Sequence, residues 1–500
     1  MAPEPKRQLA TSFFTGAKVH GALAKSRERK HRIRTDECPL YQLGIAEAGV
    51  PEERGNQREV ATGRSSAWVA MDIEKIVCDY TEVHRDRLIE ITKDLVRIPS
   101  ENKPPLGAEK SCQEYAAGFL ADLGLEPDLY ELSDVPGLFE HPLFRPGNDY
   151  RGRPNLGARR KGSSGGRSLV LSGHIDTVPK GTLPWTRDPF GGEVEGNRLY
   201  GRGSNDMKAG IAINLFILEA LEKLGWRLAG DLVCESVVDE EFGGVNGTLA
   251  GRVRGFNGDA AVITEPCQFR ICPGHRGGRT AHITLRAPGG IIQKGGKFPN
   301  GVLDQLTYFL NALKDFADQR RKTAPTHELF GFCADPVPVS ITKIHTSPWG
   351  TNEPITIPET CQIEMYWQLM PGETRPAVEA QFFTWLDSLV AAAPELFQSR
   401  PEVAFPIRWL PGSISPNPEP LVSRLSACAA KTGGQPPPIE GLEAPCDLYM
   451  FHQGFGIPAV GYGPRGANTH GADEYVEIDS VIAVAKSLLL LVCEWCGVEG

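Results

Sequence analysis

The sequence predicts an α/β fold: a mostly parallel sheet with helices on both faces, interrupted by a small α+β insert. Three observations carry this prediction. Between residues 85 and 264, short apolar strands alternate with segments of helical period, the pattern of a parallel sheet. After about Gly274 the strands become half-polar and are separated by two helices, as in a smaller mixed layer. From Pro418 the first pattern resumes and runs to the end of the chain.

The elements follow in order. Leu88, Ile89, Ile91, Leu95 and Val96 recur at helical spacing over residues 85–97, and Pro99 ends that helix. A second helix is predicted over 110–123, closed by Gly124. Residues 134–166, rich in Gly, Pro, Arg and Asn, read as loop. Ser168-Leu169-Val170-Leu171-Ser172 is a buried strand; 209–224 is an apolar helix, and 231–238 and 260–264 are further strands. In the insert, Thr280, His282, Thr284 and Arg286 alternate with Ala281, Ile283 and Leu285, a half-exposed strand. A helix near 303–318, a strand pair across 337–370, a helix over 376–392 and a strand over 403–410 complete it. The apolar stretch 481–493 is broken by Lys486 and falls short of the roughly 20 residues that a bilayer requires, so it reads as a buried terminal helix.

Five hundred residues exceed what one core of roughly 250–300 residues holds. The expected division is a leader over 1–70, an α/β domain in two parts, 71–274 and 415–500, and a lid over 275–414. The leader shows no sustained period and carries a basic run over 25–34; it is expected to be disordered, or upstream sequence preceding a true start at Met71. Glu47, Glu52, Glu53 and Glu59 speak against a transit peptide. With 41% hydrophobic and 23% charged residues the remainder is ordinary globular material. A net charge of −9 argues against nucleic acid as a partner, and no segment suits a membrane. The twelve cysteines are scattered and read as reduced thiols of a cytoplasmic protein. Cys493 and Cys496 form a CxxC at a helix end, whereas a redox pair sits at a helix start.

The chemistry concentrates at strand ends, where α/β sheets bind their ligands. Ser172-Gly173-His174-Ile175-Asp176 follows an apolar strand, and His174 and Asp176 face the same way. That suits a metal-ligating imidazole whose other nitrogen is held by a carboxylate. Asp206 sits in the Gly-rich loop Gly201-Arg202-Gly203-Ser204-Asn205-Asp206-Met207-Lys208-Ala209-Gly210, where capping the next helix is its alternative role. Asp239-Glu240-Glu241 ends a further strand, and adjacent acids there are costly unless cations neutralise them. Glu265 ends another, and a late loop, Asn468-Thr469-His470-Gly471-Ala472-Asp473-Glu474, supplies a second histidine. Two histidines with several carboxylates fit two borderline divalent cations, Zn²⁺ or Co²⁺.

From Met71 onward the chain resembles the M20 metallopeptidase family of amidohydrolases. The resemblance rests on the GHxDxVP strand end, the Trp185…Asp188-Pro189-Phe190 loop, the GRGxxDMKxG loop, the Asp-Glu-Glu triplet, the Glu265-Pro266 pair and the late histidine, all in the family's order. It implies a zinc-binding α/β domain interrupted by a lid that commonly dimerises. It implies that His174, Asp206 and Glu265 hold one cation and Asp206, Glu241 and His470 the other. Asp176 then orients His174, and Glu240 is the general base that takes a proton from the bridging water and passes it to the leaving nitrogen. Asp447 matches a supporting position near the site.

The lid departs from the family. The stretch Ala287-Pro288-Gly289-Gly290-Ile291-Ile292-Gln293 lacks the usual histidine, and none of His275, His282 and His345 fits its spacing. Gln368 stands where a substrate-binding arginine is common. Arg276 and Arg465 are candidate replacement contacts for a substrate carboxylate, with surface salt bridging as the alternative. The expected activity is removal of an acyl group from N-acyl amino acids, as in deacetylases and desuccinylases. A dipeptidase or carboxypeptidase, and a non-catalytic metabolite-binding relative, are the alternatives.

Overall fold

The structure, a computed structural model, describes residues 72–499 except 164, 244, 292–295, 297 and 347–355. The leader expected over 1–70 lies outside the described residues.

The central sheet has six strands: β1 (Asp128–Tyr130), β2 (Asn155–Arg160), β3 (Leu169–His174), β4 (Leu232–Val237), β5 (Ala260–Ile263) and, late in the chain, β10 (Ala459–Gly461). Their spatial order is β10-β5-β3-β4-β2-β1. The pairs from β10 through β4 are parallel, and β2 and β1 add an antiparallel edge. Period-two alternation splits the central strands between two cores. Leu169, Leu171, Ala260, Val262 and Leu232 face a large apolar cluster that includes helices α1 (Ile73–Val83), α4 (Ala209–Lys223), α8 (Glu419–Gly433) and α9 (Ile478–Cys496). Val170, Val233, Ala261 and Ile263 face a second cluster with Leu448, Phe451 and Ile457. On that side α5 (Asn246–Arg254) also approaches, its Arg252 paired with the buried Glu235 of β4.

Helix α4 is buried along almost its whole length, in keeping with an apolar sequence on all sides. Helix α9 holds Cys493 and Cys496 within its buried packing, where burial pushes the Cys496 thiol up to about 12. No helix among the described residues is long and apolar enough to cross a membrane.

The insert is an antiparallel sheet of β6 (Gly277–Arg286), β7 (Val339–His345), β8 (Thr360–Leu369) and β9 (Glu402–Ala404), in the order β7-β8-β6-β9. It packs on α6 (Val302–Thr323) and α7 (Arg375–Ala392) through Phe309, Phe316, Trp367, Phe382 and Trp385. Edge-to-face contacts join Phe316 to Trp367 and Phe382 at 5.8 and 5.9 Å, an arrangement favoured by ring quadrupoles.

Two expected elements differ. Residues 155–160, read as loop, form β2. Gly157 weakens its apolar pattern, yet a Cβ there would lie 2.3 Å from the Phe256 ring, so glycine is what lets that ring pack. The strand expected over 403–410 ends at Ala404. Pro406 has no N–H to continue a ladder, and residues 405–411 run on beside β6 as mostly irregular chain that bridges Gly278 at Leu410.

Candidate active site

Three strand ends and a small accessory sheet converge on one cavity. β3 delivers His174, β4 runs into Asp239-Glu240-Glu241, and β5 runs into Glu265. Arg198–Tyr200 and Tyr475–Glu477 pair antiparallel, with Gly466–Ala467 beyond. The loop after the first of these carries Asp206, and the loop between the other two carries His470. Gly203 takes φ 78° in the first loop, a left-handed conformation that glycine adopts without strain. A Cβ on Gly210 would fall 2.2 Å from the Thr264 carbonyl oxygen, so this glycine lets α4 start directly against the strand end that bears Glu265.

Asp206 lies between the two histidines. Its Oδ1 is 3.0 Å from His174 Nε2, and its Oδ2 is 3.4 Å from His470 Nε2. His470 Nε2 also lies 2.8 Å from Glu241 Oε2. His174 Nε2 is 3.8 Å from Glu265 Oε1 and 3.9 Å from Glu240 Oε2. Ligating atoms of His174, Asp206 and Glu241 all lie within 4.8 Å of one another. The cavity in front of them is about 520 Å³ and is walled by Thr280, Tyr366, Ile407, Leu410 and Cys446.

The charges of the site act strongly on one another. Burial disfavours a cation at His174, but Glu265, Asp206 and Glu240 outweigh it and hold the imidazole well above its usual range. The same contest, won by Asp206 and Glu241, raises His470 to about 11. Burial would raise Asp206, yet the two histidines hold it below the ordinary carboxylate range. Burial and then neighbouring acids push the others up: Glu265 to about 8, Asp447 to about 7, and Glu240 well above the usual value. A buried set with more carboxylates than cations is short of positive charge, and two histidines with oxygen donors are the set a divalent cation takes.

Asp176 supports the site differently from the expected way. His174 Nδ1 is 2.9 Å from the Asp176 main-chain oxygen and 3.6 Å from its carboxylate. The carboxylate instead accepts from the backbone N–H groups of Glu240 and Glu241 and from Asn102 Nδ2 at 2.9 Å, which fixes the acidic turn. Asp447 is buried beneath the site and accepts from the Thr248 hydroxyl; its Oδ1 is buried without a partner.

Neither candidate arginine reaches the cavity. Arg276 donates to the carbonyls of Glu443, Asp335 and Pro336 at 2.8–3.1 Å. Gln368 donates to the same Glu443 carbonyl, so both side chains hold the 443–446 loop. Arg465 is half exposed and lies 3.6 Å from Glu477. His275 is buried and His282 pairs with Glu364 on an exposed face. Among the described residues the insert lines the cavity with Thr280, Tyr366, Ile407 and Leu410 and with no histidine.

Sequence reasoning missed Glu474. It is fully buried, pairs with Arg202, and accepts from the N–H groups of Gly203, Asn205 and Asp206 at 3.0–3.1 Å. One carboxylate thus shapes the loop that presents Asp206. Asp239, likewise unassigned, takes φ 68° and accepts from Asn148 and Tyr150. A non-glycine residue is rarely left-handed, and here the turn aims the next two acids.

Comparison with known proteins gives the family. The model of peptidase family M20/M25/M40 matches residues 170–494. The chain is 26% identical over 441 residues to N-formyl-4-amino-5-aminomethyl-2-methylpyrimidine deformylase of Bacillus subtilis, covering 83% of this chain and 96% of that one. It is 29% identical over 360 residues to succinyl-diaminopimelate desuccinylase of Cereibacter sphaeroides, covering 68% and 87%. Among solved structures, human carnosine dipeptidase 1 superposes with a TM-score of 0.64 at 17% identity, covering 85% of this chain and 99% of that one. The di-peptidase Dug1p of Saccharomyces cerevisiae superposes with a TM-score of 0.66 at 14% identity, covering 85% and 98%. The family match runs from the strand that carries His174 to the last helix, and the chain belongs to peptidase family M20/M25/M40.

Proposed function

We propose that this chain is a two-cation amidohydrolase that removes a small acyl group from an N-acylated amine. As a member of its family it is a hydrolase of amide bonds. The observation that carries the finer reading is the placement of Asp206, one oxygen toward each histidine, with Glu240 beside them. In this reading His174, Asp206 and Glu265 hold one cation, and Asp206, Glu241 and His470 the other. Nitrogen and oxygen donors of this kind favour Zn²⁺, with Co²⁺ a close substitute. When bound, the pair polarises the amide carbonyl and acidifies the attacking water. Glu240 accepts the proton of that water and delivers it to the departing nitrogen. Asp176 holds the backbone of Glu240 in place. Residues 275–414 form the lid over a catalytic part built from 71–274 and 415–500.

The cavity wall supports an amine leaving group over an amino acid. No Arg or Lys lines the cavity among the described residues, so a substrate α-carboxylate or peptide C-terminus meets no described guanidinium or ammonium group there. The deformylase relative fits this reading. The desuccinylase relative supports N-acyl amino acids as the second reading. A homodimer through the lid draws support from β7, an edge strand exposed along most of its length.

Enzyme reconstituted with Zn²⁺ or Co²⁺ is to be assayed on N-formyl, N-acetyl and N-succinyl amines, the matching amino acids, and dipeptides. Faster turnover of the N-acyl amines is expected. Cleavage of dipeptides alone would overturn the deacylase reading.

A further inference from the structure

A second cavity of about 530 Å³ lies on the other side of residues 407–411. The segment alternates its loyalties. Ile407 and Leu410 wall the acidic cavity, and Arg408, Trp409 and Pro411 wall the second one. Arg145 and Arg375 join Arg408 there, with Phe144 and Tyr449 completing an aromatic rim.

Arg145 lacks a counter-charge among the described residues, and Arg375 shares its own with a second arginine. Arg145 donates to the Pro406 carbonyl at 3.1 Å, a neutral acceptor, and has no carboxylate partner among the described residues. Arg408 donates to the Leu143 carbonyl at 2.8 Å. Arg375 pairs with Glu379 at 2.9 Å, and the buried Arg279 draws on the same carboxylate. Burial lowers the pKa of Arg145, and repulsion from Arg408 and Arg375 lowers it further. The Tyr449 hydroxyl is buried without a hydrogen-bond partner. Guanidinium groups match the forked oxygens of phosphate and carboxylate, and converging arginines are the usual means of binding such groups.

We propose that this cavity is a separate binding site for a small molecule that carries an oxyanion, phosphate or carboxylate, on an apolar body. Arg145, Arg375 and Arg408 take the oxyanion, and Phe144, Trp409 and Tyr449 flank the body. Arg145 comes from the loop before β2, whereas Arg375 and Arg408 come from the insert. The bound anion therefore bridges the two parts of the chain beside the reaction cavity.

The test is calorimetric titration of the metal-loaded enzyme with phenyl phosphate and with benzoate, at matched ionic strength. Saturable one-to-one binding of at least one probe is expected, and the probe that binds more tightly identifies the oxyanion. Arg375→Gln, at an exposed position where folding is not at stake, and Arg145→Gln should each weaken binding about tenfold. Asp206→Ala should leave the affinity unchanged. Absence of saturable binding would overturn the proposal. So would affinity unmoved by both arginine variants, or binding lost with Asp206→Ala, which would place the anion in the acidic cavity.

Discussion

Two cavities of similar size share the wall 407–411 and carry opposite charge. One gathers Asp206, Glu240, Glu241 and Glu265 with His470 at its mouth; the other gathers Arg145, Arg375 and Arg408. They differ as much in origin as in sign. Every acid of the first lies at or just beyond a strand end or in a loop before a helix, inside a short motif. The arginines of the second come from a long loop, a helix start and an irregular segment beside β6. A site built on sheet geometry is written locally, and a site built where loops meet is not.

Asp206→Ala breaks the acidic side most completely. It should remove cation binding and lower turnover at least about 10³-fold, with metal analysis and rate measured on the same preparation. Glu474→Ala tests the loop that presents Asp206. Removing one partner of a buried ion pair costs about 3–5 kcal/mol, so a clear drop in the urea midpoint is expected. Retention of the wild-type midpoint would show that the loop holds its shape unaided.

Two buried histidines that line neither cavity should make the fold acid-sensitive. Burial lowers His275 to about 3 and His452 to about 4. An unfolded imidazole binds its proton near pH 6.5, and these two, when folded, bind theirs only at lower pH. The unfolded state therefore carries more protons between those values, and stability present above pH 6.5 is lost as pH falls. At pH 4 the loss is about 3 kcal/mol per histidine. Denaturation curves from pH 7 to pH 4 check this, and His275→Gln should flatten the fall. The smallest effect sharpens the comparison from the other side. Arg375→Gln should leave hydrolysis within about twofold, since a single exposed substitution away from the reacting groups perturbs little.

The difference between the cavities is also the limit of what the sequence discloses. His174, Glu240, Glu241 and Glu265 are legible because an acid or histidine beyond an apolar strand has few other reasons to be there, whereas Asp206 and His470, in loops, are legible through the family motifs that contain them. Glu474 was hidden because its partners are backbone N–H groups some 270 residues earlier, and backbone donors leave no mark in a sequence. Arg276 looked available for substrate, yet it is spent on the carbonyls of Glu443, Asp335 and Pro336, contacts that only the folded chain creates. The central sheet was legible where its strands are uniformly apolar. β2 was not, because Gly157 makes room for Phe256 and so dilutes the pattern that would announce a strand.

The central claim is that Glu240 moves a proton and is not a cation ligand. Its most direct test is metal content and turnover of Glu240→Ala after reconstitution with Zn²⁺. Two ions per chain are expected, with turnover reduced about 10²–10⁴-fold. Turnover at the parent rate, or loss of an ion together with activity, would contradict the account.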